Sequence, residues 1–138
     1  MRFLTLLRTA ENIDAGPPPD DLLRAMQKFV EEMVDAQVLV STAGLAPTVL
    51  GARVRLSHDG MTVTDGPFTE TKEMIASYAL IDVPTKSEAV ELSMRFLQLH
   101  HEYWNGWEGE AEIRQLVDPQ DLTPEAWRQA FVPVSADR

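Results

Sequence analysis

The chain has 138 residues, 44% of them hydrophobic, so it can bury one ordinary core but is too short for two comfortable domains. It carries 12 basic and 22 acidic side chains, a net charge of −10, and this negative field disfavours direct binding to nucleic acid or to an anionic membrane surface. The absence of cysteine excludes disulfides, thiolate metal sites and cysteine nucleophiles, and it suits a reducing cytoplasm.

The first third of the chain predicts a strand, a helix and a second strand. The first apolar run is too short for a secretory signal or a membrane span, and we interpret it as a strand. Asp20 and Asp21 suit a helix N-terminus for two reasons. Their oxygens can accept hydrogen bonds from free backbone N–H groups, and their negative charge interacts favourably with the positive end of the helix dipole. In chain order the predicted elements are a strand at 3–7, a helix from Asp20 or Asp21 to about Ala36, a strand at 38–40 and a loop at 41–47.

The middle of the chain predicts a hairpin followed by a strand that is apolar on both faces. The hairpin joins 53–57 to 61–64, and the sequence His-Asp-Gly at 58–60 supplies the positive φ that tight hairpin turns need. The strand at 75–83 must be buried on both sides. Its apolar side chains are Ile75, Ala79 and Ile81 on one face and Ala76, Tyr78 and Leu80 on the other.

The last third predicts a helix, a strand and a short helix. Residues 85–88 have the capping-box pattern, and apolar side chains recur at helical spacing after them. A threonine cap followed by proline at the first helical position indicates where the last helix begins. In chain order these elements are a helix from 85–88 to about 105–106, a strand at 112–117, and a helix that starts at Thr123 and Pro124 and docks through Trp127 and Phe131.

This order of elements predicts an α+β fold of the ferredoxin-like, split βαβ type, with an antiparallel sheet, an inserted β-hairpin and both main helices on one face. One domain is expected at 1–118, and 119–138 is expected to be a C-terminal extension with a short helix. Two helices cannot cover two sheet faces, and the strands at 3–7 and 75–83 are apolar on both sides. We therefore expect a homodimer in which two sheets enclose a shared cavity.

The segment 65–73, Asp-Gly-Pro-Phe-Thr-Glu-Thr-Lys-Glu, combines a tight turn with three charges of alternating sign. Gly66 tolerates positive φ, and Phe68 gives the turn an apolar anchor. The segment resembles the signature of the DGPF-motif branch of the YCII-related family. The order of elements over 1–117 and the sequence at 106–114 are similar to that family as well.

The resemblance implies a dimeric α+β barrel of ferredoxin-like units, with a ligand pocket between sheet and helices near the motif. Most members have no assigned activity, and some are joined or adjacent to sigma factors of the extracytoplasmic-function type. A few relatives outside this branch are enzymes that use a histidine on the first helix together with an aspartate. Here the first helix has no histidine, and the approximately matching position is Ala25. The chain thus departs from that dyad.

The candidate site residues lie in the motif and in the strand after it. Asp65 is either a base or ligand contact, or a cap that accepts backbone N–H groups of its own turn. The charges at 70, 72 and 73 form either a polar cluster at a pocket mouth or a solvated face. The hydroxyl of Tyr78 can meet a ligand or any polar neighbour. The candidates are Asp65 and Glu73 for catalysis, and Phe68, Glu70, Lys72 and Tyr78 for ligand contact.

The histidines do not predict a metal site. His100 falls on the apolar stripe of the second helix, where a hydrogen-bonded structural histidine is expected, and His101 lies about 100° around the helix and faces water. His58 belongs to the hairpin turn. Apart from the neighbours His101 and Glu102, no histidine or carboxylate has metal-ligand spacing, and there is no glycine-rich phosphate loop. No metal and no other cofactor is predicted.

Three functions are consistent with the sequence. The first is a cytoplasmic homodimer that binds a small organic molecule in a pocket bordered by 65–73 and by the strand that begins at Ile75. The second is an enzyme for proton-transfer chemistry, elimination or isomerisation, with Asp65 or Glu73 as base and Lys72 or Tyr78 as electrostatic partner. The third is a regulatory or interaction module of a sigma-factor system, with a partner bound by the C-terminal extension.

Overall fold

The structure is a computed structural model that describes residues 1–11, 15–68, 73–117 and 122–130. None of the helices in these ranges is both long and apolar enough to cross a membrane. Glu70, Lys72 and Phe131, which the sequence singled out, lie outside the described residues. The elements are β1 (Arg2–Thr9), α1 (Asp20–Asp35), β2 (Leu39–Gly44), a 3-10 turn (Thr48–Leu50), β3 (Ala52–Ser57), β4 (Gly60–Asp65), β5 (Met74–Asp82), α2 (Lys86–Tyr103), β6 (Glu110–Gln115) and α3 (Pro124–Ala130).

Four strands form an antiparallel sheet in the order β2-β5-β1-β6. In the centre, Phe3 of β1 lies opposite Ile81 of β5, and on the other side of β1, Thr5 lies opposite Ile113 of β6. The strands that each helix connects are separated by one intervening strand, which is the split βαβ arrangement. The predicted α+β fold with a ferredoxin-like antiparallel sheet is confirmed.

The two main helices cover one face of this sheet. Side chains alternate between the faces of a strand, so residues next to those of the core point to the opposite face, here called the outer face. The side chains of the outer face are only half-buried. One buried cluster on the helix side contains Phe3, Ile81, Val83 and Ala89, and helix α1 adds the buried residues Leu22, Phe29 and Met33. The apolar side chains of the outer face include Leu4, Leu6, Tyr78 and Leu80.

Two helices begin at the predicted threonine caps. The Oγ1 of Thr85 accepts a hydrogen bond from the backbone N–H of Glu88 at 3.2 Å. The Oγ1 of Thr123 accepts one from the N–H of Ala126 at 3.1 Å. These bonds satisfy backbone donors that have no partner inside the helix, so both predicted start points are confirmed.

Helix α1 begins differently from the prediction. Its N-cap position is Pro19, and no side chain caps it. The carboxylate of Asp21 instead accepts a hydrogen bond from Arg24 at 3.1 Å. The predicted capping by aspartate oxygens is therefore wrong. Asp20 and Asp21 still lie in the first turn, where their negative charge interacts favourably with the positive end of the helix dipole.

Two strands differ from their predicted course. Strand β2 continues to Gly44, into the predicted loop, because 41–44 pair with β5. Strand β5 has a register shift against β1, where Leu7 lies opposite Ser77 but Arg8 lies opposite Ile75. One extra residue in β5 moves Ile75 beside Arg8, so the prediction that Ile75 shares a face with Ala79 and Ile81 is wrong.

Strands β3 and β4 form a separate two-stranded sheet, the predicted inserted hairpin. Only Gly60 in its turn has positive φ. The register pairs Val54 with Val63 and Leu56 with Met61, so these four residues share one face, here called the apolar hairpin face. Their exposed fractions are 67%, 70%, 76% and 69%. The hairpin thus presents an uncovered apolar face to its surroundings.

Candidate functional site

A cleft of about 460 Å³ lies where the end of β1 and the start of β5 meet the 3-10 turn, β3 and the turn after β4. Most of its lining residues are apolar. Within the described ranges, the polar and charged residues that line it are Arg8, Thr48, Arg53 and Glu73. An apolar cleft with a few convergent polar groups is the usual form of a small-molecule site.

The turn at 66–68 is held against the 3-10 turn by close backbone contacts. The N–H of Gly66 donates to the carbonyl oxygen of Gly51 at 2.9 Å, and the N–H of Phe68 donates to the Oγ1 of Thr48 at 3.4 Å. The Gly66–Pro67 peptide bond is cis. A Cβ at Gly66 would overlap the carbonyl oxygen of Thr48, and φ of Gly66 is not in the left-handed region. Glycine is required here by close approach, not by the positive φ that the sequence suggested.

Glu11 fixes the other side of the 3-10 turn. Its Oε1 accepts a hydrogen bond from the backbone N–H of Thr48 at 2.7 Å. The Thr48 hydroxyl lies 2.8 Å from Oε1 and 2.6 Å from Oε2 of the same carboxylate. Charge-assisted bonds of this kind are short and strong. Glu11 was missed by the sequence analysis, because nothing in the chain marks a contact between residues 37 positions apart.

Arg53 and Phe68 form one wall of the cleft. The guanidinium carbon of Arg53 lies 3.9 Å from the centroid of the Phe68 ring, which is a cation–π contact. Arg53 lies on the polar face of the hairpin, opposite Thr64. The ring of Phe68 thus anchors the turn, as predicted, and also positions a cation at the cleft.

Arg8 lies at the opposite side of the cleft, at the register shift between β1 and β5. Its Nη2 is 3.6 Å from Oε1 of Glu112, and each of these side chains is about a third exposed, at 34% and 33%. Within the part of the chain that the structure describes, the Nε of Arg8 is buried and has no hydrogen-bond partner. An arginine whose donors are incompletely used, in a cleft, is a candidate ligand contact.

The predicted site residues do not all meet in this cleft. Phe68 and Glu73 line it together. Asp65 is exposed at the end of β4, opposite Ala52, and it does not line the cleft. Among the described residues no backbone N–H donates to the carboxylate of Asp65, so the predicted turn cap is not formed within them. The hydroxyl of Tyr78 lies 3.0 Å from the Oγ of Ser41 on the outer face.

A second, smaller cavity of about 70 Å³ lies between the sheet and the two main helices. It is mainly apolar, with the rings of Phe29 and Phe96 among its lining. Two of its hydroxyl groups already donate to backbone carbonyl oxygens, Thr5 to Ala79 and Ser93 to Ala89. This cavity offers little room and few free polar groups, so the cleft is the better candidate site.

His100 belongs to an aromatic cluster rather than to the cleft. It is 3% exposed, and its Nδ1 lies 2.9 Å from the carbonyl oxygen of Phe96. Its ring is 4.4 Å from that of Trp107 and 6.3 Å from that of Trp104, measured between centroids. Burial lowers the pKa of His100, and the hydrogen bond to Phe96 opposes that shift. The predicted structural role is confirmed, and His58 and His101 are exposed as expected.

In the described ranges, no group of three or more histidine, aspartate or glutamate side chains has the arrangement of a metal site. Among the described residues, the charged side chains that line the cleft are Arg8, Arg53 and Glu73. Of the two predicted bases, Glu73 lines the cleft and Asp65 does not.

The chain is similar to a known protein family and to a protein of another organism. A family model described as the YCII-related domain matches residues 1–96, which include every residue of the cleft. A protein of Rhizobium meliloti (strain 1021), described as uncharacterized, is 38% identical over 73 residues. That alignment covers 53% of this chain and 56% of the relative, so the chain spans little more than half of that protein's length.

Proposed function

Because the chain belongs to the YCII-related family, we propose that it is a homodimer that binds a small organic molecule in the cleft beside the 66–68 turn. We assign it to the DGPF-motif branch on the sequence at 65–73. The cleft volume of about 460 Å³ lies in the range of about 300–1,000 Å³ that is usual for ligand sites. The cytoplasmic location stays a prediction from the sequence.

The contact between Arg53 and Phe68 is the observation that carries the ligand site. Ring and guanidinium are 3.9 Å apart at the cleft, and the turn that bears Phe68 is held through Thr48 by Glu11. Cations and rings held in this way are preorganised, so a ligand need not order them on binding. Glu73, the last residue of the 65–73 motif, lines the same cleft.

Two uncovered apolar surfaces support the homodimer. The outer face of the four-stranded sheet holds Leu4, Leu6 and Leu80 half-buried, and the apolar hairpin face is about two thirds or more exposed. An isolated two-stranded hairpin is marginally stable in water, so it gains most from packing on a further surface. A second copy with the same uncovered faces can supply that surface by two-fold symmetry.

The division of the chain is part of the proposal. The ferredoxin-like domain is assigned to 1–118 and the extension with α3 to 119–138. In the described part of the extension, α3 starts at Pro124 and Trp127 is 42% exposed. The regulatory or interaction module, which would use this extension, rests on the sequence and on the family resemblance alone.

An enzyme for proton-transfer chemistry is the second candidate, because Glu73 lines a largely apolar cleft beside two arginines. A base must lie within hydrogen-bond reach of the reacting proton, and a nearby cation can stabilise the anion that forms. Asp65 lies outside the cleft lining, so the proposal now rests on Glu73 as base. If the variant Glu73→Gln kept the full proton-transfer activity of the wild type, the role of Glu73 as base would be contradicted.

A thermal-shift screen of small metabolites against the full chain tests the ligand site. A ligand that binds only the folded state raises the melting temperature with its concentration. We expect Phe68→Ala to reduce this shift strongly, whereas Met94→Ala, at a 65% exposed position of α2 away from the cleft, should keep it. A full shift retained by Phe68→Ala would remove the cleft from the proposal.

A further inference from the structure

One copy of the chain leaves much of the apolar cleft wall open to water. Three of the apolar residues that line the cleft, Leu45, Leu50 and Ile75, are 46%, 78% and 38% exposed. A small-molecule site usually covers about 70–90% of the surface of its ligand. Walls that stay this exposed would leave a bound apolar molecule partly in water, so a further apolar surface is needed to complete the site.

The apolar hairpin face leads directly into this cleft. Side chains of a strand alternate between its two faces, so Ala52 lies in the same row of β3 as Val54 and Leu56. Ala52 also lines the cleft, as does Leu50, which ends the 3-10 turn just before β3. Every residue of β3 is exposed. The hairpin face and the cleft wall thus form one continuous apolar surface.

The size of this surface matches one side of a protein–protein interface. It includes the four residues of the apolar hairpin face, which are 67–76% exposed, and the three cleft residues named above. These seven residues expose on the order of 800 Å², which is about the area that each partner buries in an interface of standard size. A second copy presents an apolar surface of the same extent and can cover this one by two-fold symmetry.

Side-chain sizes indicate how two such hairpins fit together. The pair nearest the tip is large, Leu56 with Met61, the middle pair is Val54 with Val63, and the base holds the small Ala52 beside the cleft. In hairpins that point in opposite directions, each large tip meets a small, concave base, and the valines meet at the centre. In hairpins that point the same way, large residues meet large ones and each cleft stays empty. Tight packing sets large side chains against small ones, which favours opposite directions.

From these observations, and resting on the proposed homodimer and its cleft, we infer that the hairpin of a second copy closes the cleft. The two hairpins pack with their apolar faces together and point in opposite directions. Leu56 of each copy then covers Ala52 and Leu50 of the other. Each ligand site is built from two chains, and it loses its outer wall when the dimer separates.

Cross-linking of engineered thiols tests this closure, because the chain has no cysteine of its own. Full-length Leu56→Cys and Ala52→Cys chains with different affinity tags are co-expressed, purified together and treated with a short bismaleimide linker. Sheets packed face to face lie about 10 Å apart, a distance that such a linker and two side chains can span. We expect a covalent heterodimer linked between positions 56 and 52, identified by mass spectrometry, with a yield at least about fivefold above that of the control pair.

The control pair replaces Leu56→Cys by Ser57→Cys. Ser57 is the next residue of β3 and lies on the polar face of the hairpin, so its thiol points away from the second copy. Labelling with a maleimide dye shows that each thiol reacts, and circular dichroism shows that each variant is folded. If Ala52→Cys does not fold, Leu50→Cys provides a second thiol at the base of the hairpin, in the same cleft.

Two results would overturn the closure and leave the homodimer standing. In the inferred arrangement the two copies of Leu56 are more than about 15 Å apart. Linking of Leu56→Cys to its own copy, without linking to Ala52→Cys, would therefore require hairpins that point the same way. Absence of any hairpin link in a protein that is a dimer by light scattering would place the interface elsewhere. A monomeric wild-type protein would reject the homodimer itself, whereas the metabolite screen decides the ligand site separately.

Discussion

Gly66 and Thr48 are in direct backbone contact, and a Cβ on Gly66 would overlap the carbonyl oxygen of Thr48. The contact joins the turn after β4 to the 3-10 turn, and both turns line or border the cleft. Phe68 and Thr48 are further tied by a hydrogen bond of 3.4 Å. The shape of the cleft therefore depends on a position at which no side chain fits.

Gly66→Ala should destabilise the protein by about 1–3 kcal/mol, because the added methyl group forces backbone against backbone. Urea unfolding followed by circular dichroism measures the change. Gly44→Ala is the matched control, since a Cβ at Gly44 meets no atom within 4 Å and the position has no positive φ. Equal stability of the two variants would contradict the close approach.

Glu11→Ala should cost about 1–2 kcal/mol of stability, because it removes the acceptor for the N–H and the hydroxyl of Thr48. The same variant should reduce the thermal shift that a ligand of the cleft produces, since the 3-10 turn then no longer holds the turn that carries Phe68. Urea unfolding measures the change in stability, and the thermal-shift screen with metabolites measures the change in ligand binding. Glu31→Ala, an exposed glutamate on α1, should change neither.

Val63→Asp should shift the protein from dimer to monomer, because it places a charge on the apolar hairpin face, where Val63 is 70% exposed in one copy. Size-exclusion chromatography with light scattering measures the mass. Thr62→Asp is the control, since Thr62 pairs with Arg55 on the polar face of the same hairpin.

Three other results of that measurement would change the proposed interface. A wild-type dimer that persists in Val63→Asp would remove the hairpin from the interface and leave the outer face of the sheet as its basis. A monomeric wild-type protein at micromolar concentration would contradict the homodimer itself. Dissociation by Thr62→Asp but not by Val63→Asp would place the opposite face of the hairpin in the contact.

The sequence predicted the sheet and helices because their signals are local. Thr85 and Thr123 cap helices as their spacing indicates, and the apolar strands alternate as expected. The register shift between Leu7 and Arg8 was not predictable, since it depends on pairing with a strand about 70 positions away. That shift also moves Ile75 beside Arg8, which no periodicity in the sequence indicates.

The candidate site was predicted only in part, because a motif is visible in the sequence whereas contacts between distant strands are not. The motif lies beside the cleft, and Phe68 and Glu73 line it. Asp65 was chosen as a carboxylate in a turn, but the geometry of the hairpin leaves it outside that lining. Arg8 and Arg53 were not singled out, because each reads as an ordinary charge in a strand until folding brings the two strands to one cleft. Contacts of this kind depend on tertiary structure and leave no local pattern.

The buried His100 predicts a loss of stability in mild acid. Burial lowers its pKa in the folded protein, while in the unfolded chain it has the ordinary value of 6.5. As the pH falls below about 6.5, the unfolded state takes up the proton first, so the free energy of unfolding decreases until the folded pKa is reached. Above about pH 6.5 this contribution to stability is fully present.

Urea unfolding of the wild type and two variants, at several values between about pH 8 and about pH 5, isolates this effect. His100→Gln removes the titrating group, so its stability should be lower at neutral pH but should fall less steeply toward pH 5. His101→Gln, at the exposed neighbour on α2, should keep the wild-type slope. An unchanged slope in His100→Gln would show that the ring gains its proton as readily in the folded cluster of Phe96, Trp104 and Trp107 as in the unfolded chain.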